Sequence, residues 1–264
     1  MQTVRSADGT TIAYDEQGQG PALIVVNGAM NTRSSGSNPQ LAALLAQRLT
    51  VYSFDRRGRG DSGDTSPYAV AREIEDVEAL VAVAGGTASV YGHSSGACLA
   101  LEAAAALGER VTRLAMYEAP YNDDPEAKRA WGAYIVQLTD TLADGRRGDA
   151  IALFMSYVGV PADQIAGMRQ APFWSDLEAV APTLAYDHTG LLGSDAAVPV
   201  ERAARIGAST LVMHGGASFA FMGETARTLT QAIPLAQLRT LEGQTHEVDP
   251  AVLAPALIDF LTQT

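Results

Sequence analysis

Cysteine, basic side chains and long apolar runs are all in short supply here, and each shortage closes off a class of protein. A single cysteine, Cys98, excludes an internal disulfide and offers no cluster for structural zinc. Lysine and arginine number 18 against 30 acidic residues, a formal net charge of −12. Neutralising phosphate takes a basic face, so nucleic acid is not an expected partner, and anionic lipid is disfavoured for the same reason. No apolar stretch approaches the ~18–20 residues of a membrane span. The opening Met1-Gln2-Thr3-Val4-Arg5-Ser6-Ala7-Asp8-Gly9 lacks the apolar centre of a secretory signal, so a soluble, cytoplasmic protein is expected. What the chain does have is apolar bulk: 47% of 264 residues, enough for one large packed domain or two small ones.

Up to residue 120, strand-like and helix-like segments alternate, which implies parallel strands with helical crossovers. Strands are expected at Thr10–Tyr14, Ala22–Val26, Val51–Phe54, Ala88–Tyr91 and Val111–Tyr117, with helices at Leu41–Gln47, Ala69–Val83 and Ser95–Leu107. Between Tyr121 and Asp195 helical patterning continues but strands stop, and both tryptophans fall there. Alternation resumes with strands at Thr210–Met213 and Leu235–Thr240 and helices at Glu224–Ala232 and Pro250–Leu261. The expected organisation is therefore a core of residues 1–120 and 196–264 interrupted by a helical cap, 121–195.

Gly92-His93-Ser94-Ser95-Gly96 matches G-x-S-x-G between an apolar strand and a helix. A nucleophilic serine needs such a turn: the tight bend projects the hydroxyl, and glycines give strand and helix room to approach. A helix beginning at Ser95 also turns its positive end toward the same point. On these residues the chain resembles the α/β-hydrolase superfamily. Val25-Val26-Asn27-Gly28-Ala29-Met30 is similar to the family's oxyanion loop, with Asn27 at the usual His. Asp55-Arg56-Arg57-Gly58-Arg59-Gly60-Asp61-Ser62 resembles its D-x-R-G-x-G-x-S segment, normally a structural loop, so the three arginines are left outside the expected site.

The resemblance implies an α/β-hydrolase fold: a mostly parallel eight-stranded sheet, helices on both faces, and a helical cap. It also implies Ser94 as nucleophile, with oxyanion N–H donors from Ser95 and Ala29, or Met30 if the loop is shifted by one. Of four histidines, His246 lies in the loop between the last strand and the last helix, where the family carries its general base. The acid departs from pattern, for Ser218 stands where most members have Asp. Glu118, at the end of the strand 24 residues beyond Ser94, is the expected replacement. Fungal zearalenone lactonases, which this chain resembles in the S-S-G elbow and the missing Asp, use an acid at that strand end. Asp187 and Asp249 are rivals, though Asp249 before Pro250 reads as a helix N-cap.

Cap residues Trp131, Tyr134, Phe154, Trp174, Asp187 and His188 are the candidate substrate contacts, with an apolar-aromatic lining that suits an ester or lactone of modest size. The expected activity is carboxylic-ester hydrolysis by a Ser-His-Glu triad with no cofactor and no metal. A haloperoxidase- or lyase-like enzyme, or a binding module without turnover, would use much the same residues. The expected partner is a small molecule, and the chain is read as a monomer or homodimer.

Overall fold

The structure, a computed structural model, describes residues 1–263. Eight strands form one sheet: β1 (Gln2–Arg5), β2 (Thr11–Gln17), β3 (Ala22–Val26), β4 (Thr50–Phe54), β5 (Ala88–His93), β6 (Val111–Tyr117), β7 (Ser209–Gly215) and β8 (Ala236–Leu241). Their spatial order is β1-β2-β4-β3-β5-β6-β7-β8. From β4 to β8 all pairings are parallel, while β2 runs antiparallel to both β1 and β4. The central strands read as nearly unbroken apolar runs because helices cover both of their faces. Alternate residues go to opposite sides: Val90, Leu114 and Met116 join one core, Tyr91, Ala115 and Tyr117 the other.

On the first face lie α2 (Val70–Val83), α3 (Ser95–Leu107) and α9 (Ala220–Ala232); on the second, α1 (Asn38–Leu45) and α10 (Pro250–Leu261). Pro39 and Pro250 stand in the first turns of α1 and α10, where a missing N–H costs nothing. This starts α1 three residues earlier than its apolar pattern suggests. Asp249 caps α10, accepting from Ala251 N–H at 2.8 Å.

Between β6 and β7 come α4 (Pro125–Ala143), α5 (Arg147–Tyr157), α6 (Ala162–Met168), α7 (Trp174–Val180), a π-helix (Tyr186–Leu192) and α8 (Val200–Ala203). Trp131, Leu138, Ile151 and Leu184 from this stretch continue the core of the first face. No helix among the described residues is long and apolar enough to cross a membrane. The sheet order matters for chemistry: β5 and β6 are neighbours, and β7 lies beside β6. The C-terminal ends of these strands therefore bring the turns after His93, Tyr117 and Gly215 together.

Candidate active site

Ser94 joins β5 to α3 with φ 57° and ψ −128°, a conformation that costs a non-glycine residue about 1–3 kcal/mol. Four non-glycine residues among those described have positive φ, and three of them, Met30, Ser94 and Glu118, are candidate site residues. The glycines of the elbow are required by space. A Cβ on Gly92 would run into the Gly96 carbonyl, and one on Gly96 would run into that of Val26. Ser94 N–H is tied to Tyr117 O at 2.9 Å, which fixes the elbow to the neighbouring strand.

Glu118 follows β6 directly and is buried. Its Oε2 lies 2.7 Å from His246 Nδ1, while Gly215 N–H donates to Oε1 at 2.8 Å and the Ser218 hydroxyl to Oε2 at 2.9 Å. Burial alone would raise the carboxyl's pKa, but the hydrogen bonds from His246, Gly215 and Ser218 hold it below the ordinary carboxylate range. Ser218 thus donates to the candidate acid from the position where the resemblance would set an Asp. It touches the carboxylate, not the imidazole.

The loop bearing His246 is held from several sides. The Tyr117 hydroxyl donates to Thr245 O, Ala217 N–H to Gln244 O at 2.9 Å, and His93 Nε2 lies 3.0 Å from His246 O. The rings of His93 and His246 are 4.9 Å apart. Sequence reasoning gave His93 no task, yet it positions the backbone of the candidate base. Burial, with the nearby His246, pushes the His93 imidazole down to about 4, so it serves as a neutral donor. Ser94 Oγ makes no hydrogen bond to His246 among the described residues; such contacts often tighten only with substrate in place.

Gly28 passes close over the serine: a Cβ placed on it would lie 3.0 Å from Ser94 Cβ and 3.6 Å from Oγ. The N–H groups of Ala29, Met30 and Ser95 have no acceptor among the described residues. Arg59 Nη1 donates to Gly28 O at 2.7 Å. In a trans peptide the C=O and the next N–H point opposite ways, so pulling the Gly28 oxygen toward Arg59 turns Ala29 N–H the other way.

Here the arginines set aside by sequence reasoning return. Arg56 and Arg59 are fully buried. Arg56 forms paired bonds to Glu73 at 2.6 and 2.7 Å and binds Asp187 at 2.6 Å. Arg59 binds the other oxygen of Asp187. Glu73 and Asp76 lie on the buried stripe of α2 beside Val77 and Leu80, and Asp76 holds Arg57. Asp187 therefore has neither oxygen free for substrate or for His246, contrary to its place among the candidate contacts and as the rival acid. The two guanidiniums keep its carboxylate low although burial opposes them.

Of the cap candidates, the structure gathers Trp131, Tyr134, Phe154 and His188. Trp131, Tyr134 and Phe154 stand with ring centroids 5.3, 5.5 and 5.0 Å from the His188 ring. Trp174 does not join them: its indole N–H bonds Glu178 at 3.0 Å and its face lies under Arg169. Asp187 and His188 are buried neighbours on the π-helix, an element with no signature in the sequence pattern.

Burial pushes the His188 imidazole down to about 4, against the pull of Asp187. The unfolded ring takes its proton near 6.5, so between those values the unfolded chain binds more protons and stability falls as pH falls. A change of that size corresponds to about 3 kcal/mol. Glu118 and Asp187 act in the same direction at lower pH: their contribution is present above the ordinary carboxylate range and lost below it. The melting temperature followed by circular dichroism is expected to drop from pH 7 to 4, with a shallower drop in His188→Phe. A flat profile in the wild type would contradict these assignments.

A family model of the alpha/beta hydrolase family matches residues 23–257, and the chain belongs to that family. Among solved structures, an alpha/beta hydrolase from Sphaerobacter thermophilus is 50% identical with a TM-score of 0.86, covering 99% of this chain and 100% of that one. The enol-lactonase from Burkholderia xenovorans is 23% identical, TM-score 0.69, over 99% of this chain and 100% of its own. An esterase from Exiguobacterium antarcticum is 18% identical, TM-score 0.77, over 99% of each chain. At those last two identities the likeness is one of fold.

Proposed function

We propose that the chain is a serine hydrolase that cleaves a small apolar or aromatic ester or lactone through an acyl-enzyme. The observation that carries this reading is the 2.7 Å contact between Glu118 and His246 Nδ1, beside a serine in a strained elbow. An acceptor on Nδ1 leaves Nε2 unprotonated and able to take the Ser94 proton. Ser94 Oγ attacks the carbonyl carbon as its proton passes to His246. The oxyanion is met by the N–H groups of Ser95, at the head of α3, and Ala29, oriented through Arg59. His246 protonates the leaving oxygen, then takes a proton from the water that attacks the acyl carbon and passes it to Ser94 Oγ as the acid is released. Glu118 holds the tautomer and offsets the imidazolium charge. Residues 121–195 serve as a cap whose aromatic cluster meets the apolar part of the substrate.

The test is covalent. A fluorophosphonate should leave one adduct on Ser94, seen by mass spectrometry of the peptide, and should abolish p-nitrophenyl butyrate turnover in step with labelling. Ser94→Ala should take up none. Full turnover after labelling, or an adduct elsewhere, would sink the nucleophile.

A further inference from the structure

The π-helix carries two consecutive buried side chains with separate partners. Asp187 goes to the arginine pair, and His188, 4% exposed, goes into the aromatic cluster. His188 Nδ1 lies 2.8 Å from the Tyr134 hydroxyl. That hydroxyl has no other partner among the described residues, so its proton has one acceptor available, Nδ1. With the Tyr134 hydroxyl as donor, Nδ1 accepts and the neutral ring carries its proton on Nε2. Nε2 has no hydrogen-bond partner among the described residues and is not fully enclosed, so it reaches accessible space.

The other buried donors around it are committed. Trp131 indole N–H donates to Gly193 O at 2.8 Å, and the Tyr134 hydroxyl is paired with His188 Nδ1 itself. Charge is also accounted for. Arg56 and Arg59 face Glu73 and Asp187, two cations against two anions, so neither arginine is left free to hold an acid group. A lone neutral N–H among Trp131, Tyr134 and Phe154 matches an uncharged oxygen acceptor on a flat apolar molecule. The π-helix packs on α3, and Asp187, the neighbour of His188, binds Arg59, whose Nη1 donates to the Gly28 carbonyl beside Ser94, which ties this donor to the serine site.

We propose that His188 is a specificity-determining residue whose Nε2–H recognises a neutral carbonyl oxygen, remote from the scissile bond, on a flat apolar substrate. The inference rests on the cap being the substrate's cover, as in the function proposed above, but not on turnover. It selects keto-esters, keto-lactones or similar oxo-substituted rings over their plain hydrocarbon counterparts.

The probes are 1-indanone and indane, which differ by a carbonyl in place of a methylene, with binding measured by calorimetry on wild type, His188→Phe and His188→Gln. The ratio of the two affinities is the readout, because it cancels general packing losses. It should shift against indanone about tenfold in His188→Phe and largely recover in His188→Gln, which keeps an N–H donor. An unchanged ratio in His188→Phe overturns the proposal. Should His188→Phe fail to fold, 15N shifts of the wild-type imidazole decide. An Nε2–H tautomer whose resonance moves with indanone and not with indane supports it; an Nδ1–H tautomer, or equal response to both, overturns it. Ester turnover dependent on Ser94 with an unchanged ratio would sink this proposal alone. The reverse result would sink the hydrolase reading alone.

Discussion

Glu118→Gln is expected to lower kcat on p-nitrophenyl butyrate by about 10³–10⁴-fold while KM stays within a few-fold. The carboxylate does two things at once. In the proposed mechanism it accepts from His246 Nδ1–H at 2.7 Å, which keeps Nε2 free, and its charge faces the imidazolium that would form when Ser94 is deprotonated. An amide keeps the shape but loses the charge. It can also present its NH2 to Nδ1, moving the ring proton to Nε2 and leaving Ser94 without a base. Gly215 N–H and the Ser218 hydroxyl already donate to this side chain, so a neutral replacement leaves donors facing donors. Ser218→Ala removes one of those donors and should cost far less, about tenfold or below. Wild-type kcat in Glu118→Gln would show that the base is supported by something other than this contact.

Much of this arrangement was legible in residues close together in the chain. The elbow is a local motif, and the apolar strand before Ser94 and the alanine-rich helix after it declared their own structure. His246 could be placed from its position between the last strand and helix. Glu118 could be inferred because the resemblance sets β6 between β5 and β7, so a strand-end acid there must reach the same corner. β1 has no signature in the sequence because its four mostly exposed residues, Gln2–Arg5, carry no alternation. The π-helix was missed because its two inward neighbours, Asp187 and His188, break the 3.6-residue period that identifies helices. Arg56 and Arg59 resemble residues of a structural loop, yet the sequence carries a signal for their burial. Glu73 falls on the apolar stripe of α2 with Val77 and Leu80, and an acid on a buried stripe requires a buried cation. What the sequence could not supply was the partner from the proposed cap, 128 residues away along the chain from Arg59.

That partner sets the other large effect. Asp187→Asn is expected to destabilise the fold by about 3–5 kcal/mol, because it leaves two fully buried guanidiniums facing Glu73 as their remaining counter-charge. Activity should fall as well, for a reason separable from stability. Arg59 is held between Asp187 and Gly28 O, and the Gly28–Ala29 peptide it pulls on carries a proposed oxyanion donor. With Arg59 free to shift, that donor loses its aim. Removal of a whole oxyanion donor costs about 10²–10³ in kcat, so a loosened one should cost part of that, again without a matching change in KM. Chemical denaturation and steady-state kinetics, the latter well below the variant's melting temperature, measure the two effects independently. A variant that is less stable but turns over normally would mean that Asp187 merely anchors the cap. One that loses kcat while folded would mean that cap and oxyanion loop are parts of one device, so that a cap not seated on Arg56 and Arg59 leaves Ser94 without a competent oxyanion site.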